Sequence, residues 1–197
     1  MKTNRKLRTI ATPVLTGTLA LALFTLAALM FNAQAADKNS RGSLNARDYK
    51  FVSDAAEGGA MEVSLGRLAA QKGADQAVRD FGQRMVTDHQ KANEELTQLV
   101  SQKGATLPDS SKEIEKSLSR FGKLEGSDFD KAYIKDMVSD HKKDVKDFQT
   151  EADKAEDADL KGWVTKTLPT LEDHLRLAQT VESTVNAVNR PQAKLGD

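Results

Sequence analysis

Two short connections and one long one constrain this chain more than any other feature. Four segments carry apolar residues at helical spacing, at about residues 46–72, 75–103, 127–155 and 158–188. Two or three residues join the first segment to the second and the third to the fourth, so each pair must turn back as an antiparallel hairpin. Between the pairs lie 23 residues, 104–126, with a shorter helical piece at 111–122. A connection of that length can run from one end of a bundle to the other. A plain up-down-up-down bundle with a decorated loop is the competing arrangement.

Composition agrees with helices and with little else. Ala, Leu, Glu, Lys, Gln and Asp dominate, and alternating strand patterns do not persist. Gly73 and Gly104 end the first two segments and Ser127 can open the third. Pro169 falls inside the fourth, where a missing N–H predicts a kink or a break. The expected fold is all-α: two antiparallel hairpins joined by a long crossover that contains a short helix, which is ferritin-like four-helix connectivity.

The first residues read as a leader rather than as part of this bundle. Four basic residues in MKTNRKLR precede an apolar run, 10–31, and Ala33-Gln34-Ala35 offers small residues where a signal peptidase cuts. We expect a signal peptide at 1–35, a bundle domain at 36–188, a flexible tail at 189–197, and export to the periplasm. An uncleaved anchor is the alternative, since the run approaches the length of a membrane span. Beyond residue 35 there are 25 basic and 29 acidic residues, a net charge of −4 with histidines neutral. No basic patch with aromatics appears, so a nucleic-acid partner is not expected. The chain has no cysteine, which removes disulfides and thiol nucleophiles.

A five-residue motif points to the centre of the bundle. MVTDH at 85–89 returns as MVSDH at 137–141. Projected on a helix, His89 and His141 fall inside apolar faces, as does His174 in the fourth segment and Glu62 in the first. These are the chain's three histidines, and each of the four residues sits near the middle of its helix. Mid-helix residues share a layer, so one carboxylate and three imidazoles are expected to meet. Burying them without partners costs free energy. A metal ion would supply a shared partner, and three His nitrogens with a Glu oxygen suit one Zn, Fe, Mn or Cu ion. Asp88 and Asp140, each one residue before a histidine, lie at the edge of the apolar face, where they can orient an imidazole of a neighbouring helix. Tyr133 flanks the same stripe, its hydroxyl expected near the site. The competing account is a structural polar layer that fixes helix register.

EVSLGRLAAQKG, VRDFGQRMVTDHQKANEEL, the second MVSDH and LPTLEDHLRLAQ together resemble the exported bacterial ferritin-like four-helix domains of unknown function that are often labelled outer membrane proteins. The resemblance runs from about Tyr49 to Val181 and implies the fold more than any activity. The family's central Glu, two Asp-His pairs and final His fall on Glu62, Asp88-His89, Asp140-His141 and His174. The outer-membrane label fits poorly with a chain that has no long alternating strands. Di-iron ferritins use Glu-x-x-His on paired helices. Here Val86, Val138 and Leu171 stand three residues before the histidines, so a single ion is expected and a di-iron centre is not.

No phosphate loop, Ser-His-Asp set or dinucleotide signature is present, so no catalytic residue is assigned and enzyme activity stays open. A hydrolase is the third choice, behind a metal-binding bundle and a non-catalytic envelope stress or interaction module. Four protein ligands would leave Zn no position for water unless its coordination expands. After cleavage no stable membrane span is expected. An envelope protein partner and a homodimer through part of an apolar face both stay open.

Overall fold

The computed structural model describes residues 40–188. The expected signal peptide and C-terminal tail lie outside the described residues. Among the described residues every regular element is an α-helix: α1 (Ala46–Lys72), α2 (Gln76–Gln102), α3 (Ser111–Gly122), α4 (Gly126–Lys154) and α5 (Ala158–Val188). α1 packs on α2 and α4 on α5 as hairpins, and the hairpins meet through α1–α4 and α2–α5.

Ion pairs fix the directions. Arg47 at the start of α1 reaches Glu151 near the end of α4, and Lys72 at the end of α1 reaches Glu125 just before α4. Lys103, just past α2, pairs with Asp157 just before α5. So α1 runs antiparallel to α4, and α2 to α5. α2 therefore ends at the opposite end of the bundle from the start of α4, and the crossover traverses the bundle. Six residues without regular structure, 105–110, can span about 20 Å. The 12-residue α3, which packs along α1, adds about 18 Å. Together they match the roughly 40 Å length of a 27-residue helix. The connectivity is ferritin-like, and the up-down-up-down alternative is excluded.

Local chemistry places the ends. Asn45 Oδ1 accepts from the Arg47 and Asp48 amides, 2.8 Å each, and starts α1. Asp75 and Asp157 do the same for α2 and α5. Two further aspartates cap across hairpins. Asp48 of α1 accepts from the Glu156 and Asp157 amides in the α4–α5 turn. Asp130 of α4 accepts from the Ala74 and Asp75 amides in the α1–α2 turn. Each hairpin thus holds the turn of the other. Beside Asp48 lies Glu151, whose pKa is raised by burial and, despite Arg47, by the charge of Asp48 and a hydrogen bond with it.

One local expectation needs correction and two need refinement. Ser127 does not open α4. The Glu125 carbonyl accepts the first amides, from Asp128 and Phe129, and Gly126 enters the helix at φ +56. Gly73 ends α1 as expected, but in an extended conformation (φ −53), so of the two glycine caps only Gly104 (φ +67) uses left-handed backbone. Pro169 does not break α5, which is continuous from Ala158 to Val188. One glycine pair has a packing role. A Cβ on Gly66 would lie 2.8 Å from the Gly82 carbonyl oxygen, and one on Gly82 would lie 2.7 Å from that of Gly66. The α1–α2 hairpin closes at a spacing that side chains would forbid.

The core is divided. One apolar cluster, around Leu65, Phe81, Met85, Phe129 and Met137, fills the end holding the α1–α2 turn. Another, around Val52, Leu96, Phe148, Leu160 and Trp163, fills the end holding the α4–α5 turn. Glu62, His89, His141 and His174 belong to neither cluster, and all four are buried.

Candidate metal centre

Four helices each deliver one buried ionisable side chain to the layer between the clusters. Glu62 of α1 is 4% exposed, His89 of α2 is 5%, and His141 of α4 and His174 of α5 are fully buried. The rings lie with centroids 5.1–5.6 Å apart. One nitrogen from each histidine can be chosen so that all three lie within 4.8 Å of one another. Glu62 stands beside them, its Oε2 3.0 Å from His89 Nδ1 and its Oε1 3.4 Å from His141 Nε2. The first contact is a hydrogen bond. The second is a charge contact, since Oε1 has no hydrogen-bond partner.

The hydrogen bonds around the rings dictate where their protons sit. His141 Nδ1 lies 3.0 Å from the Met137 carbonyl one turn back. A carbonyl only accepts, so Nδ1 carries the proton and Nε2 carries the lone pair. His174 Nε2 lies 2.9 Å from Asp88 Oδ2. Burial raises Asp88's pKa, but hydrogen bonds from Arg84 and His174 and the charge of Arg84 outweigh it and hold the carboxyl ionised. It accepts from His174 Nε2, which leaves the lone pair on Nδ1. His141 Nε2 and His174 Nδ1 then face each other 3.3 Å apart. Burial pushes the pKa of both rings down, that of His174 to about 4, so both are neutral near pH 7. Two lone pairs therefore point at one place, with the unpartnered Oε1 of Glu62 close by and no hydrogen between them.

Glu62 and His89 form the charged part of the cluster. Burial pushes Glu62 up and His89 down, but each is overruled by the other's charge and by their hydrogen bond. The carboxylate ends below its usual range and the imidazole above it. Nδ1 of His89 donates to Glu62, while Nε2, buried, has no partner. The group as a whole is a buried three-histidine set, beside a carboxylate, that can chelate a divalent metal ion.

The remaining residues singled out in the sequence divide. Asp88 reaches the site through His174. Asp140, at the matching position before His141, makes no hydrogen bond to any of the imidazoles. It lies half-buried, its pKa raised to about 6 by burial and by Asp136 and Glu62. Tyr133 packs its ring parallel to Phe129 and edge-on to Phe81, and its buried hydroxyl has no partner. The tyrosine feels the charge of Glu62, which together with burial raises its pKa, but the structure does not bond it to the site. Sequence reasoning passed over three contributors. Arg84 holds Asp88 through its Nε, and the i,i+4 spacing was a usable signal. The Met137 carbonyl fixes His141, as any carbonyl four residues back might. Asp144, one turn beyond His141, lines a cavity with Glu62 and His89.

No curated protein and no solved structure matches the chain. A family described as a domain of unknown function, DUF4142, matches residues 33–181. That match takes in every helix of the bundle up to the last turns of α5, and all four residues of the buried cluster. The chain belongs to the DUF4142 family.

Proposed function

We propose that this protein is an exported ferritin-like bundle that binds one transition-metal ion, with His89, His141 and His174 as ligands and Glu62 beside them. The observation that carries the proposal is the pair of neutral imidazole nitrogens, His141 Nε2 and His174 Nδ1, facing each other at 3.3 Å. A cation at that place turns a repulsive contact into an attractive one. The outer hydrogen bonds, to the Met137 carbonyl and to Asp88, are the kind that fix the tautomer of a ligating histidine. His89 completes the set when its ring gives up a proton, so binding near neutral pH should release about one proton. Glu62 offers its unpartnered Oε1 as a further oxygen donor. Imidazole with carboxylate suits Zn, Fe, Mn or Cu.

Export to the periplasm and the domain limits 36–188 rest on the leader alone. Among the described residues no helix is long and apolar enough to cross a membrane. A purely structural polar layer explains the Glu62–His89 pair. It does not explain why two lone pairs are held toward one point.

Metal analysis of untagged protein tests the reading. About one equivalent of metal is expected after loading with Zn, falling below a tenth of that in His141→Ala and in His174→Ala. Protein that binds no metal in excess of the two variants would leave the structural layer as the answer.

A further inference from the structure

Beside the buried cluster lies a surface-open cavity of about 270 Å³. Glu62 and His89 form part of its lining, whereas His141 and His174 do not. Aromatic rings from three helices make its apolar wall. Phe51 of α1 meets Phe148 of α4 edge-on at 5.0 Å, and Phe148 meets Trp163 of α5 at 5.5 Å. A cavity of about 150 Å³ with apolar walls is large enough to take benzene, so this one has room for a single ring with a short side arm.

Its charges show what is missing. Each cationic side chain at the cavity is matched with an acid: Arg47 with Glu151, Lys50 with Asp54, and Lys143 with Asp147. Glu62 is matched with His89. Asp144 is the exception. Among the described residues it makes no hydrogen bond and no ion pair, although it is only partly exposed and stands near the charge of Glu62. Burial and Glu62 raise its pKa to about 7 against the nearby charges of Lys143 and His89, which are already paired with Asp147 and Glu62.

We infer that the cavity binds an organic ammonium ion, with its charged nitrogen on Asp144 and its apolar body against Phe51, Phe148 and Trp163. An aromatic wall with an unmatched carboxylate is the arrangement that recognises such cations, because ring faces attract positive charge and the acid anchors it. An anion would meet Asp144 and Glu62. A neutral molecule would leave Asp144 without a cation of its own in direct contact. The inference goes beyond the metal reading: Glu62 and His89 border both sites, whereas His141 and His174 lie outside the cavity lining and Asp144 belongs to the cavity alone.

Trp163 is the only tryptophan in the chain, so its fluorescence reports on the cavity directly. Benzylamine is the probe, with benzyl alcohol as its uncharged match and benzoate as its opposite in charge, each titrated into chelator-treated and Zn-loaded protein. A saturable change with benzylamine is expected in both preparations, about tenfold or more tighter than with benzyl alcohol, and none with benzoate. Asp144→Asn should erase the difference between amine and alcohol. Gly58→Leu should weaken both, because Gly58 lines the cavity and a Cβ there meets nothing within 4 Å. His174→Ala should keep benzylamine binding while losing metal, which separates the two proposals. Equal affinity for amine and alcohol, or unchanged amine binding in Asp144→Asn, would overturn the inference.

Discussion

The two copies of the repeated motif start from nearly the same five residues and end in different roles. In both, the methionine is fully buried, the valine is in the core and the histidine enters the polar layer. There the likeness stops. Asp88 in the first copy holds His174 of the neighbouring helix and is itself held by Arg84. Asp140 in the second holds no imidazole, and the charges around it are those of Asp136, Glu62, Arg120 and Lys143. His89 has its Nδ1 on Glu62, another residue of the layer, whereas His141 has its Nδ1 on the carbonyl of Met137, in its own copy of the motif. The cause is topological. α2 is the second helix of its hairpin and α4 the first of its own, so the copies sit on helices with different neighbours. The residue before the histidine turns toward α5 from α2. From α4 it turns toward the side where Arg120 of α3 lies. A local motif sets which face is buried, and the arrangement of helices sets what that face meets.

The contrast can be broken most strongly through the metal. Asp88→Asn removes the charge that fixes His174, and metal affinity should fall about 10- to 100-fold. Asp140→Asn should change it by less than about threefold. Competition with a chromogenic chelator measures both, and equal losses would mean that the copies are alike after all.

A smaller effect sharpens the same contrast through pH in metal-free protein. Asp140 has its folded pKa raised, to about 6, above an unfolded value near 3.9. Its contribution to stability is therefore complete below about pH 4 and is lost as pH rises toward 6. Asp88, with its pKa depressed, has the opposite sign: its contribution is present above about pH 4 and is lost as pH falls. Thermal melts should show Asp140→Asn raising the Tm by a few degrees at pH 7 and by about nothing at pH 4. Asp88→Asn should lower the Tm at pH 7, with the loss shrinking as the solution is acidified.

Much of this architecture was legible before any coordinates. Helical spacing located five helices within a residue or so, because their apolar faces are long and their turns short. The crossover followed from counting residues between hairpins. Glu62, His89, His141 and His174 could be brought together because each lies both mid-helix and mid-face, and those two conditions leave little freedom. Side chains at the edge of a face were harder. Asp88, Asp140 and Asp144 all sit there, and nothing in the local sequence says which neighbouring helix each will meet. Tyr133 packs on Phe129 and Phe81 as its place on the stripe suggests, but its hydroxyl finds no hydrogen-bond partner. The caps by Asp48 and Asp130 join residues 108 and 55 positions apart, a distance that turn chemistry alone does not bridge.

The central claim is that His141 Nε2 and His174 Nδ1 hold their lone pairs toward one cation. Nitrogen-15 NMR of the histidine rings, recorded without metal and with one equivalent of Zn, tests it most directly. The account predicts a proton on Nδ1 of His141 and on Nε2 of His174 in both states, with the two facing nitrogens shifting on addition of Zn. Opposite tautomers, or facing nitrogens that do not respond to the metal, would contradict it.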